Sequence, residues 1–454
     1  MASVGGGREA PLLIRLALAA ALALHLAVLV SIARQPLDVN VAAPDQRSLI
    51  WPLHNDTVHR IGPGADFFCV YHAGLQLRAG RSPYQPAAGR EAVPYYYPFR
   101  YLPIVAETLG RAVVAVGPRA AYLAWLSVLE ATLLLLCLGL LRYAPSESLR
   151  WVGPCLLLLS SPYFLELHMG QFSFLTAALY VTALILCTTE SLYRRLAWLA
   201  AATYAGAVLL KIFPLVAFPA LMRNRTGRRC AAIAVGSLLV SAVPLFLLHG
   251  DWWRDFAAAN LSAGQMSGLD AGNHGLLFVV FQAARDLGLN WTPQRWKITC
   301  WTAQILFLGA ASLAALMSRP PSPIVSGAAL YLGHTLSYFQ IWEHHLSGAV
   351  VVGVALLWGL EGSDARRWER LTATAAVVCL ALPTPFRLFD HALDVHLWDP
   401  SGTWPHYAHY LLPLCKAGPA LALYGVSLST LFRRSAGGIR DLSHEQHAAG
   451  GNVA

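Results

Sequence analysis

A carboxylate, a solitary lysine and a pair of histidines stand out in an otherwise apolar sequence. Asp66 follows Gly62-Pro63-Gly64 and opens the stretch Asp66-Phe-Phe-Cys-Val-Tyr-His-Ala-Gly-Leu-Gln-Leu-Arg78. A carboxylate on a loop longer than a connector needs could accept the proton of an attacking hydroxyl. Aspartate at a helix start also serves as an N-cap, and the sequence leaves that second reading open. Lys211 is one of three lysines, with Lys297 and Lys416, and apolar residues flank it on both sides. A charge at mid-span costs about 2.5–3.5 kcal/mol on an insertion scale, and ionisable groups inside membranes are functional by default. Snorkelling is the competing account. A chain broken at Pro214 would instead bring the ammonium to the surface, where it suits a phosphate as a compact point charge.

Glu343-His344-His345 follows Trp342 at the start of an apolar run. Adjacent histidines point to different helix faces, H-E-x-x-H is absent and no three-ligand zinc spacing occurs, so no metal is expected. The cluster is either interfacial polarity or a histidine that hydrogen-bonds a substrate hydroxyl or phosphate. Gln171, in His168-Met-Gly-Gln171, joins two apolar runs as a turn or a ligand contact, and Glu107, Glu130 and Glu166 are further acids in or near spans. No Gly-rich phosphate loop is present, so neither ATP-driven chemistry nor a bound cofactor is expected.

These residues need a frame, and composition defines it. Of 454 residues 56% are hydrophobic and 13% charged, against roughly 25% charged in a soluble domain. A soluble enzyme, a disordered chain and a fibrous repeat are excluded, and a polytopic all-α membrane protein is implied. Apolar runs fall near 12–33, 101–117, 120–141, 151–167, 171–189, 196–222, 230–249, 297–317, 323–341, 344–360, 369–386 and 408–432, twelve in all. The net charge of +9 resides mainly in clusters between runs, such as Arg223, Arg225, Arg228 and Arg229, and reads as the positive-inside signal and not as a nucleic-acid site. The eight cysteines are scattered without a C-x-x-C pair and read as small hydrophobes. The N-terminal run carries no cleavage site and reads as an uncleaved first helix.

Twelve spans place both termini in the cytoplasm, with 1–432 as one integral membrane domain and 433–454 as a polar cytoplasmic tail. The segments 34–100, 250–295 and 387–407 then lie outside, the last two carrying Trp252, Trp253, Trp291, Trp398 and Trp404. Keeping Arg142, Arg150, Arg194 and Arg195 inside requires 101–117 to be re-entrant and 196–222 to break near Lys211-Ile-Phe-Pro214. In the first outer loop, Phe67, Val70, Tyr71, Gly74 and Leu75 recur at helical spacing, which predicts an amphipathic helix lying in the interface and ending at Gly80. Ser82-Pro83-Tyr84 then turns the chain.

In order, Asp66, Tyr71, Ala73-Gly74, Gly80, Pro83-Tyr84, Tyr97-Pro98, Gly170-Gln171, Lys211 with Pro214, Gly272-Asn273, and Trp342 with His344-His345 resemble family 87 of the GT-C glycosyltransferases. Tyr97-Pro98-Phe99-Arg100 stands where that family usually has Tyr-Pro-Pro, and His274-Gly275 replaces a more usual Gln-Ser pair. The resemblance implies a bundle of about twelve transmembrane helices whose long first outer loop carries interfacial helices. It implies an inverting, metal-independent transfer of a sugar, mannose in the type case, from a polyprenyl-phosphate carrier. The acceptor it implies is a hydroxyl of a glycolipid or envelope glycan at the outer face of a bacterial inner membrane. Asp66 matches the general base, and His345 or His344 a histidine near the reaction centre. Lys211 falls to the donor phosphate, and Tyr71, Tyr84, Gln171, Asn273 and Glu343 to substrate contacts; Arg100, where the chain departs from the family, either adds a donor-phosphate contact or anchors the helix at the interface. Donor, acceptor and membrane lipid are the expected partners of a monomer, with no nucleic acid. The alternative class is a glycolipid transporter or flippase. It should show similar hydropathy in two halves, whereas the long loop of the first half has no counterpart in the second.

Overall fold

The structure, a computed structural model, describes residues 12–37, 48–50, 53–54, 61–85, 96–188, 190–261, 273–289, 292–361, 363, 365–385 and 407–450, the side chains of 190–195, 261 and 436–450 excepted. Much of the first outer loop, most of the third with Trp398 and Trp404, and Trp291 lie outside the described residues. Within them helix is the only regular structure. The long helices are α1 (Leu12–Ala33), α2 (Ala65–Arg78), α3 (Pro118–Tyr143), α4 (Glu147–Leu158), α5 (Ser161–Met169), α6 (Ser173–Thr188), α7 (Glu190–Leu210), α8 (Arg225–Leu248), α9 (Gly250–Leu261), α10 (Leu276–Asp286), α11 (Pro293–Met317), α12 (Pro323–Ser337), α13 (Leu346–Glu361), α14 (Arg367–Ala381) and α15 (Ala408–Gly450).

Local chemistry sets many of their ends. Pro118, Pro293 and Pro323 open α3, α11 and α12, where a missing N–H costs nothing. Ser146, Asn224 and Thr292 cap α4, α8 and α11 through side-chain oxygens. α15 runs unbroken from Ala408 to Gly450, through the boundary expected at 432.

Every expected apolar run falls on helix, but not every run is one span. Among the described residues six helices are long and apolar enough to cross a bilayer: Leu12–Ala33, Pro118–Tyr143, Arg225–Leu248, Pro293–Met317, Glu343–Glu361 and Ala408–Ser435. α5 and α6 supply a seventh if they are read as one span bent by 119°. The run expected at 101–117 is a short broken helix: Pro103–Val105, a π turn at Ala106–Gly110, then Arg111–Val114. At about 1.5 Å per residue it covers well under the roughly 30 Å hydrocarbon thickness. The run expected at 196–222 does break at Lys211: α7 ends at Leu210, and a 3-10 turn (Phe213–Ala217) and one helical turn (Phe218–Leu221) follow. At the centre is α13, whose apolar span is 83% buried, against 17% for α8 on the periphery.

α2 departs from expectation. The helix forms over Ala65–Arg78, yet it is not amphipathic, because residues all round it are buried, His72 and Gln76 among them. On its apolar face it meets its neighbour backbone to backbone. An added Cβ on Gly74 would lie 2.2 Å from the carbonyl oxygen of Gly110, so α2 and the π turn touch through their glycines. Gly74→Ala is therefore expected to destabilise the protein by about 1–3 kcal/mol. Gly139→Ala, in α3 with nothing within 4 Å of its added methyl, should be neutral or stabilising. Thermal unfolding of the detergent-solubilised variants checks this, and equal midpoints would refute the close approach.

Candidate active site

The ends of several helices meet around a cavity of about 690 Å³. Its walls are Asp66 and Cys69 of α2, Tyr97, Pro98, Arg100 and Tyr101, Gln171 and Ser173 at the α5–α6 bend, and Lys211–Phe213 beyond α7. Tyr331, His334, Thr335 and Tyr338 at the end of α12, Gln340–Trp342, His344, His345 and Asn260 of α9 complete them. Five of the sequence-singled residues come together here with Asp66: Arg100, Gln171, Lys211, His344 and His345.

Asp66 owes its place to the N-terminus of α2. Gly64, left-handed at φ 78°, is the cap residue; its N–H donates to the carbonyl of His168 at 2.6 Å, while Tyr97 N donates to Ala65 O at 3.2 Å. Asp66 is thus not the N-cap, and its side chain is free for the cavity. Oδ2 lies 3.6 Å from His344 Nε2 and has no hydrogen-bond partner among the described residues. Burial pushes the carboxyl up to about 7, against the pull of the Lys211 and Arg100 charges and a hydrogen bond with Gln171. Gln171 is set for that bond. Its Oε1 accepts from Tyr101 Oη (2.8 Å) and Phe172 N (2.7 Å), which leaves its amide hydrogens for the carboxylate. Gly170, at φ 65°, makes the turn and packs against Phe67 where a Cβ would not fit.

Lys211 follows the last turn of α7 and donates through Nζ to Ser173 Oγ at 2.8 Å. Tyr204 Oη donates to Pro214 O at 2.9 Å and fixes the turn beyond. Arg100 is exposed at the mouth. His344 and His345 belong to a 3-10 turn, Glu343–His345, in which His345 N donates to Trp342 O (3.0 Å) and Trp342 N donates to His345 Nδ1 (3.2 Å).

Four sequence-singled residues do not line the cavity. Glu343 points the other way, its Oε1 3.1 Å from Lys416 Nζ and 3.3 Å from Thr384 N, its Oε2 3.4 Å from His54 Nδ1. Lys416 is 1% exposed and also donates to the carbonyls of Leu380 and Leu382. Asn273 is a clamp: Nδ2 donates to Phe339 O (3.0 Å), and Oδ1 accepts from Gly275 N (2.8 Å) and Ile341 N (3.0 Å). Tyr84 braces another wall through its bond to Tyr101 O at 2.8 Å. Tyr71 is buried against Phe68 and His72. The substrate contacts expected of these four become support for the walls, because their polar atoms are directed at backbone or at buried charge, or, for Tyr71, because the ring packs in the core.

Sequence reasoning passed over Tyr101, Ser173, His334 and Tyr338. His334 stacks flat on Phe213, ring centroids 5.0 Å apart. His334 and Tyr338, four residues apart at the end of α12, share the face turned to the cavity. Of the remaining acids, Glu166 is buried and accepts from Phe174 N (2.8 Å) and Ser347 Oγ (2.6 Å). Glu130 meets His25 at 2.9 Å, and Glu107 meets Arg111 one turn on. No three His, Cys, Asp or Glu side chains converge as metal ligands do among the described residues.

A bundle of apolar helices around a buried carboxylate and two cations is the setting in which the comparisons fall. The model of glycosyltransferase family 87 matches residues 96–337, more than half of the chain. The chain belongs to glycosyltransferase family 87. A search of curated proteins found no match. As a family 87 member with several apolar helices it is a multi-pass membrane glycosyltransferase, with a sugar donor and an acceptor. The matched stretch contains Arg100, Gln171, Lys211 and Asn273 but neither Asp66 nor the two histidines, so their place beside the matched cations rests on geometry.

Removing Lys416 alone would strand Glu343, 3% exposed, as a buried charge. Lys416→Met should therefore cost about 3–5 kcal/mol, whereas the double change Glu343→Gln with Lys416→Met recovers most of the loss. Thermal unfolding of the two single variants and the double variant tests this. Additive losses would rule out the pairing.

Proposed function

We propose that this glycosyltransferase transfers a hexose, mannose in the first instance, from a polyprenyl-phosphate carrier to a hydroxyl of a glycolipid or envelope glycan at the outer face of a bacterial cytoplasmic membrane. The observation that carries the proposal is Asp66. Its carboxylate has one oxygen unpaired, lies on the cavity wall and is held near neutrality at about 7. A base with that pKa is well matched to proton removal at physiological pH. A polyprenyl phosphate is an activated leaving group, so the chain has three tasks: deprotonate the acceptor, hold the phosphate and exclude water.

In this reading Asp66 takes the acceptor proton as the hydroxyl oxygen attacks the anomeric carbon. The bond to the phosphate oxygen breaks with inversion. Lys211, fixed by Ser173, and Arg100 at the mouth receive the charge that grows on the departing phosphate. Gln171 aligns Asp66 through its amide, and His344 lies against the same carboxylate. Asn273 and Tyr84 serve the substrate indirectly, by holding the walls that carry Gln340–Trp342 and Tyr101. Inversion follows if base and leaving group lie on opposite faces of the sugar.

Purified protein supplied with a panel of radiolabelled polyprenyl-phosphate sugars tests the proposal. Transfer of label to lipid acceptors is expected, and movement of the donor across the bilayer without transfer would favour a transporter. Asp66→Asn should lower kcat by at least about a hundredfold with the fold intact. Because the carboxylate is the active form, kcat/KM of the parent should rise with pH and level off above about 7. A profile flat from pH 5 to 8 would remove Asp66 from the base role. Lys211→Met should raise the donor KM about tenfold or more with a smaller change in the acceptor KM, and an unchanged donor KM would leave Lys211 as a structural lysine.

A further inference from the structure

The turn that carries the two histidines fixes more than their position. A backbone N–H can only donate, and Trp342 N is 3.2 Å from Nδ1 of His345. Nδ1 must therefore present its lone pair, and the ring hydrogen belongs on Nε2. A hydrogen on Nδ1 would face the Trp342 N–H head-on and break the bond that closes the turn. His345 N, donating to Trp342 O at 3.0 Å, completes the same reciprocal pair. The ring lines the cavity, and among the described residues no protein group hydrogen-bonds to Nε2. Lys211 and Arg100 line the same cavity as the ring, so an anionic oxygen suits the surroundings of Nε2.

We propose that His345 is locked as the neutral imidazole with its hydrogen on Nε2, and that this N–H donates to a phosphate oxygen in the cavity. The inference rests on reading the cavity as the site of a phosphate-linked donor, and it narrows what His345 can do there. With Nδ1 engaged and Nε2 already carrying hydrogen, His345 takes no proton from the acceptor. It is a fixed dipole aimed at the phosphate, complementary to the cations, and the proton is left to Asp66. The turn that orients the ring is held from behind by Glu343 and Lys416.

Two measurements test the two halves separately. Nitrogen-15 NMR of histidine-labelled protein, assigned with His345→Gln, reads the tautomer without any substrate. Nε2 protonated and Nδ1 bare is expected, and a hydrogen on Nδ1, or on both nitrogens, overturns the lock. Binding of geranylgeranyl phosphate, which carries the phosphate but no sugar to transfer, is then compared across His345→Gln, His345→Asn and His345→Ala. Glutamine places an N–H near the position of Nε2, whereas asparagine places an acceptor near that of Nδ1 and so keeps the turn closed. Asn and Ala variants are expected to bind about tenfold or more weaker than the parent, with Gln within a few-fold of it. The reverse order, Asn retaining affinity and Gln losing it, would make His345 a turn-closing residue only. Inorganic phosphate run alongside separates the sources of the oxyanion: a free anion bound as tightly as the lipid phosphate, and as dependent on residue 345, would overturn the assignment to a lipid carrier. Absence of sugar transfer would defeat the functional reading while leaving both of these results standing.

Discussion

A charged side chain inside an apolar helical bundle persists only where another group answers it, and that requirement organises this protein. Glu343 is answered by Lys416, Glu369 by both terminal nitrogens of Arg433, and Glu166 by a hydroxyl and a backbone N–H. Among these acids Asp66 and Glu343 each keep an oxygen without a hydrogen-bond partner among the described residues; that of Glu343 faces His54 and a buried lysine, and that of Asp66 lies on the cavity wall. The contrast gives that oxygen its chemical meaning. Glu343 has a buried lysine at 3.1 Å to balance its charge, whereas Asp66 faces space for a ligand.

The same requirement explains how the histidine turn is aimed. In a 3-10 turn, three successive side chains leave in three directions. Glu343 is drawn toward Lys416 on α15, and the rings of His344 and His345 are left toward the cavity. A second anchor, Asn273, ties the preceding strip of backbone at Phe339 and Ile341. A helix from the far end of the chain therefore governs the geometry of residues in the middle of it.

The sequence made the class of the fold and the position of nearly every helix legible, because apolar runs report burial in lipid or core directly. It also made Asp66, Lys211, Arg100, Gln171 and the histidine pair legible as chemistry. A polar residue in a helix break has few reasons to be there, and those breaks converge. What it could not supply was direction. Glu343 and His344 are neighbours in sequence and face opposite sides of their turn, and no periodicity distinguishes them. Tyr84 and Asn273 look like ligand contacts, yet their polar atoms go to the backbone. α2 looked amphipathic because its apolar spacing suits one face, whereas Phe68, His72 and Gln76 off that face are buried too. Lys416 carried the signal that marked Lys211, a lone lysine in an apolar run. Its partner, 73 positions earlier in the chain, could not be paired with it from spacing.

Every wall of the cavity is built where a helix stops: α2 begins at it, α5 and α6 bend at it, and α7 and α12 end at it. The lipid-facing spans contribute little more than enclosure. Selection acting on the sugar or the acceptor can therefore work on short junctions without disturbing the helices that hold the molecule in the bilayer. A scaffold of this kind can diversify its chemistry by editing hinges while its membrane-facing exterior stays as it is. That separation of labour is a physical route by which one membrane architecture could come to serve many acceptors.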